Sequence, residues 1–141
     1  HYNTQVKNQI DGFLEKTVSG LRKELIETCE HVSELLTDDD KQLKSTSLIS
    51  MRNRMEKFKR LNFAGDERVN QVLEELEDYV GVDAVEYRDD SRFANQFGSV
   101  LNKIGSDLRA TLEVEVKEVV TNFGESSKRK LKLKKKKKVS V

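Results

Sequence analysis

The sequence predicts an all-α protein: an antiparallel helical bundle with two long helices at its ends, two shorter ones between them, and a basic tail. Three observations carry this. Apolar residues recur at helical spacing over two long stretches near opposite chain ends. Proline and tryptophan are absent, and charged residues make up 36% of the chain, a profile that favours long helices with solvated faces. No stretch shows the period-two alternation of a half-buried strand.

The first long helix is expected at about residues 4–36. Ile10, Leu14, Val18, Leu21, Leu25, Cys29, Val32 and Leu36 step by three and four in an 11-residue repeat. The last is expected at about 91–123, with Asp90 or Ser91 as its cap. There Phe97, Leu101, Leu108, Leu112, Val119 and Phe123 follow the same repeat, and Ile104 fills the first longer gap. Eleven residues over three turns is ~3.67 per turn, so each seam runs down a nearly straight rod. Each rod is about 50 Å long at a rise of about 1.5 Å per residue, and each is the natural partner of the other. The core and interface seam is therefore placed at Ile10, Leu14, Leu21, Leu25, Val32, Phe97, Leu101, Leu108, Leu112, Val119 and Phe123. Apolar residues outside the seams, including Leu35, Ile49, Val100, Val114, Val116 and Val120, imply contacts on more than one side. Gly12, Gly20, Gly98 and Gly105 lie inside the rods; close backbone approach is the expected reason, a hinge the alternative.

Between the rods, Thr37-Asp38-Asp39-Asp40 ends one helix and begins the next, because acids suit the positive end of a helix dipole. The second helix, about 41–61, places Leu48, Met51, Met55, Phe58 and Leu61 at helical spacing. Asn62-Phe63-Ala64-Gly65-Asp66 breaks it: Gly65 can take a positive φ, and Asp66 can cap the third helix. That third helix, about 67–80, uses Val69, Val72, Leu73, Leu76 and Val80, and Gly81 stops it. Residues 41–60 hold seven bases and one acid, residues 66–90 ten acids and two bases, so the two helices are expected as neighbours. Being shorter, they leave the long outer pair to protrude as a coiled-coil hairpin.

At 141 residues the chain is one domain or a piece of a larger protein. It divides into a helical bundle at 1–127 and a lysine-rich tail at 128–141. His1 stands where a start methionine would be, compatible with a cleaved or truncated N-terminus. No apolar run approaches the roughly 20 residues that cross a bilayer, so no membrane role is expected. Cys29 is the sole cysteine, which points to a reducing cytoplasm. A net charge of +1 conceals an asymmetry: the tail holds nine bases and no acid, the rest 17 bases against 25 acids.

Catalytic patterns are missing. Neither a Walker A loop nor a G-x-G-x-x-G occurs. Cys29 and His31, two apart on a helix, point to opposite faces and cannot share an ion. Cys29 reads as a buried thiol, and His31, between Glu27 and Glu34, as a surface ion-pair member. Glu74, Glu75, Glu77 and Asp78 read as solvated helix surface, since no histidine joins them. Asp38 to Asp40 lack the glycine and trailing glutamate of a calcium loop. No cofactor, metal or enzymatic activity is expected.

The tail carries the one functional signal with a mechanism. Lys128, Arg129, Lys130, Lys132, Lys134, Lys135, Lys136, Lys137 and Lys138 can displace counterions from a nucleic acid. No aromatic residue interleaves them, so base stacking and sequence specificity are not offered. An import signal, contact with anionic lipid, and contact with a neighbour's acidic body remain as alternatives. Charge this dense is expected to resist helix formation.

Leu48-Ile-Ser-Met-Arg-Asn-Arg-Met-Glu-Lys-Phe-Lys-Arg-Leu-Asn-Phe-Ala-Gly-Asp66, then Tyr87-Arg-Asp89, then Phe123-Gly-Glu-Ser-Ser-Lys-Arg-Lys-Leu-Lys-Leu133, resemble the C-terminal part of an uncharacterised helical family of bacteriophages and integrative elements. The Asn-Phe-Ala-Gly-Asp joint is the most specific piece, and the similarity spans roughly residues 40–133. Members are encoded near a MoxR- or cobaltochelatase-like AAA+ ATPase and a von Willebrand A-type protein. The resemblance implies a mobile-element origin in a bacterial host cell and an ATPase-associated partner; it supplies no catalytic residue. The lysines after Leu133 depart from its pattern. If Leu131 and Leu133 belong to it, they are expected to dock as alternate residues of an extended strand. The reading is a non-enzymatic assembly protein, homo-oligomeric or within a larger complex, using long helix faces and the 61–66 joint. The alternatives are a nucleic-acid binder acting through the tail and an adaptor for an AAA+ ATPase.

Overall fold

The computed structural model describes residues 2–37, 45–81 and 91–139, with side chains placed for 5–36, 48–81 and 92–126. The order is α1 (Tyr2–Thr37), α2 (Ser45–Leu61), α3 (Glu67–Val80), α4 (Ser91–Ala110) and α5 (Leu112–Val139). Among the described residues there is no strand. The expected helix start within 38–44, the cap candidate Asp90 and the Tyr87-Arg-Asp89 piece lie outside the described residues.

α1 and α4–α5 run antiparallel side by side. Ser33 on α1 donates to the Gly98 carbonyl on α4 at 3.3 Å, Glu30 pairs with Arg109 at 2.7 Å, and Arg22 meets Glu115 of α5 at 3.4 Å. Falling numbers on one helix meet rising numbers on the other. Gly105 sits at the contact between the helices, where a Cβ would meet Glu30, Cys29 and the Ile26 carbonyl at 3.7–3.9 Å, ordinary van der Waals distance. Gly12 and Gly20 do not fit the close-approach expectation, since a Cβ at either meets nothing within 4 Å.

α2 and α3 cover only the inner half of this pair. One continuous core holds Leu25, Ile26 and Cys29 of α1, Met51, Met55 and Phe58 of α2, Val69, Leu73 and Leu76 of α3, and Phe97, Leu101 and Leu108 of α4. Tyr79 of α3 stacks on Phe97 with ring centroids 4.8 Å apart. The basic second and acidic third helices are neighbours as their charges require: Lys59 pairs with Glu77, and Arg52 donates to the Val80 carbonyl. Leu14 and Val18 of α1 and Val116 and Val120 of α5 are buried yet lie outside that core. They line the contact between α1 and α5, which continues outward as a two-helix arm.

Three expectations are corrected. The last rod does not stop at 123; α5 continues as helix through Val139. No proline follows, and lysine, leucine and serine are tolerable helix residues, so propensity prevails over a repulsion that water and salt screen. Leu131 and Leu133 accordingly stand on helical backbone and not on a strand. The rod is also interrupted at Thr111, although the ladder carries through it: Thr111 N–H donates to Asp107 O at 3.2 Å and Glu115 N–H to Thr111 O at 2.9 Å.

Third, the outer seam is displaced. Leu14, Leu21, Leu25, Val32, Phe97, Leu101 and Leu108 are buried as expected. Ile10 is 51% exposed, and Leu112, Val119 and Phe123 are only half-buried. Val116 and Val120, one step round the helix, take the inner position. The stripe facing α1 changes phase at Thr111, across the break between α4 and α5.

Candidate functional site

The joint between α2 and α3 is built from its own sequence. Gly65 takes φ +71°, the left-handed conformation that favours glycine, and its N–H donates to the Asn62 carbonyl at 3.3 Å. Asn62 then clasps the turn: its side-chain oxygen accepts from Asp66 N–H at 2.9 Å, and its amide donates to the Asp66 carbonyl at 2.9 Å. Asp66 caps α3 by accepting from Val69 N–H at 3.4 Å.

Sequence reasoning located that cap but missed its partner. Arg22, 1% exposed, forks onto Asp66: Nε donates to Oδ2 at 2.7 Å and Nη2 to Oδ1 at 2.9 Å. Its remaining Nη1 lies 3.4 Å from Glu115 Oε2, outside hydrogen-bonding geometry. One guanidinium therefore ties α1 to the α2–α3 joint and to the start of α5. Burial opposes the charge on Arg22, but Asp66 and Glu115 outweigh it and hold its pKa above the usual arginine value. Burial likewise pushes the Glu115 carboxyl up. The Thr111 hydroxyl at 2.7 Å, Arg22 and Arg68 together overcome that and hold it below the usual carboxylate value.

This cluster offers no nucleophile beside a base, and its groups already engage one another. Arg22, Asp66 and Glu115 border a shallow cleft with Glu118 and Asn122, excess acid with no histidine. Among the described residues, no three His, Cys, Asp or Glu side chains gather as metal ligands. Cys29 is fully buried, and burial followed by the neighbouring Glu30 raises its thiol to about 12, leaving it protonated. His31 is exposed on α1 beside a groove with α2. No described helix is long and apolar enough to cross a membrane.

The surface feature that stands out is on the arm. Ile10 is 51% exposed and Phe13 63%, and they are three apart on one face of α1. Counting outward by equal numbers from Arg22 and Glu115, Phe13 stands at the level of about residue 124 of α5. Phe63 of the joint, 53% exposed, packs edge-on against Phe123 with centroids 6.5 Å apart, and Leu61 is 44% exposed. The joint and the arm thus display apolar side chains at one level of the molecule. Val114, 64% exposed, stands apart on the outer side of α5. The cations from Lys128 to Lys138 fall on the last part of α5; their side chains lie outside the described residues.

No protein-family model, curated protein or solved structure matches this chain.

Proposed function

We propose that this chain is a non-enzymatic assembly protein, in which the four-helix body is a scaffold and the α1–α5 arm is the docking element. Its setting, on the resemblance, is a phage or mobile-element complex inside a bacterial cell. The observation that carries the reading is the exposed Ile10–Phe13 face on a two-helix projection, with exposed Phe63 at the same level through its contact with Phe123. Apolar side chains grouped in this way mark interaction surfaces more than scattered ones do. A photo-crosslinking residue at position 13 tests it. In host extract it is expected to give discrete adducts that excess unlabelled chain suppresses, whereas the same group at Asn53 on α2 gives none. Absence of adducts from position 13 overturns the reading.

A second reading is favoured by the helical course of α5 through Val139, which mounts nine cations on one rod. Here the tip of the arm contacts nucleic acid without sequence preference. Deleting 128–141 is then expected to abolish retention on DNA at low salt. Retention unchanged by the deletion removes this reading.

A further inference from the structure

One face of α1 is covered in the body and bare in the arm. α2 lies over Thr28 and Leu35 of α1: Arg54 donates to the Thr28 hydroxyl at 3.4 Å, Leu35 lines a groove with Met51, and at the edge Lys57 approaches the exposed Glu24 at 3.8 Å. Stepping outward by threes and fours along that face gives Gly20, Thr17, Phe13, Ile10 and Val6. α2 ends at Leu61, so the face that is an interface in the body continues as open surface on the arm.

Charge along α5 is split in the same place. Residues 112–127 hold Glu113, Glu115, Glu118 and Glu125 against Lys117 alone, while residues 128–139 hold nine bases and no acid. From Glu115 to Val139 the helix runs about 36 Å, at about 1.5 Å per residue, away from the body. A helix cannot fold its basic half back over its own acidic half.

We infer that the arm's occupant is a second copy of this chain, laid antiparallel on the first. The inference rests on the docking reading above and names its partner. A parallel overlap sets acid beside acid and base beside base. A twofold axis at the level of Ile10 and Phe13, about residues 127 and 124 of α5, instead brings Glu113 to the level of about Lys138 and Glu118 to that of about Leu133, between Lys132 and Lys134. The two apolar stripes then cover each other, and each basic tip lies along the other copy's acidic root. Such a surface is self-complementary, as a twofold interface must be. The apolar stripe supplies affinity that salt does not screen; the charges set direction and give a salt-dependent part.

Sedimentation of the purified full chain tests this. Wild type is expected at twice its 16.2 kDa mass, with association weakening as salt rises. Ile10→Glu with Phe13→Glu, both at exposed positions, is expected to be a monomer with unchanged helix content. Reversing the root (Glu113→Lys, Glu118→Lys) or the tip (Lys134→Glu, Lys136→Glu, Lys138→Glu) is expected to weaken self-association about tenfold or more in low salt. Mixing these two charge variants is expected to restore a dimer containing one of each. A wild-type chain monomeric at every concentration and salt overturns the inference, as do charge variants that self-associate like wild type or a mixture that fails to pair. If the purified chain is monomeric while position 13 still captures another protein, the second copy is excluded and the docking reading stands. If position 13 captures nothing, the docking reading falls.

Discussion

Arg22 bears most directly on how the three parts of the chain are held together. Removing one partner of a buried ion pair leaves the other charge without compensation, at a cost of about 3–5 kcal/mol. Arg22→Met is therefore expected to lose that much in urea unfolding, because Asp66 stays buried at 1% exposure. Glu115 gives a pH signature. Its carboxyl titrates below the usual value of ~4.3 in the folded chain, so its contribution is present above that value and is lost as pH falls through the folded one. Thermal melts from neutral to acid pH are expected to show a shallower acid decline for Glu115→Gln than for wild type; parallel declines contradict the assignment. The cap role of Asp66 was legible, since glycine followed by aspartate before an apolar run is turn and cap chemistry. Its pairing with Arg22 was not, because nothing in sequence spacing links positions 44 residues apart. A local signal did exist: Arg22 lies four residues from both Val18 and Ile26, so its neighbours on that face are apolar.

At the scale of the elements, α3 was the most legible. Its bounds and its five buried positions follow from period and capping alone. α1 and α4 were legible through their 11-residue seams as far as the body extends. Beyond Thr111 the extrapolated seam failed at Leu112, Val119 and Phe123, because the helix is interrupted there and a sequence period assumes no interruption. The glycines sort by contact and not by location. A Cβ at Gly105 meets neighbours at 3.7–3.9 Å, ordinary contact distance, so the helix-propensity gain decides the sign. Gly105→Ala is expected to stabilise by up to about 1 kcal/mol in denaturant unfolding. A loss of similar size shows instead that the helices pack more tightly than this spacing. The helical backbone of α5 past Ser126 runs outward, away from the body, so deleting 128–141 is expected to leave unfolding within about 0.5 kcal/mol of wild type.

For the whole molecule, the bundle class and its antiparallel outer pair follow from the chain's periodicity, and the protruding hairpin follows from unequal helix lengths. The exposed face of the arm was not legible, since the repeat places Ile10 in the seam and does not single out Phe13, and sequence does not say where α2 stops covering α1. The arm exists only if α1 lies along α5 in the register set by Arg22 and Glu115. In that register Lys16 stands at the level of Thr121, and both are exposed. Spin labels at Lys16→Cys and Thr121→Cys, in a Cys29→Ala background diluted with unlabelled chain, measure the separation directly. Helix axes about 8–10 Å apart plus two label arms predict one narrow distribution below about 25 Å. A broad distribution, or one centred beyond about 40 Å, contradicts the paired arm; that is well outside the reach of two packed helices.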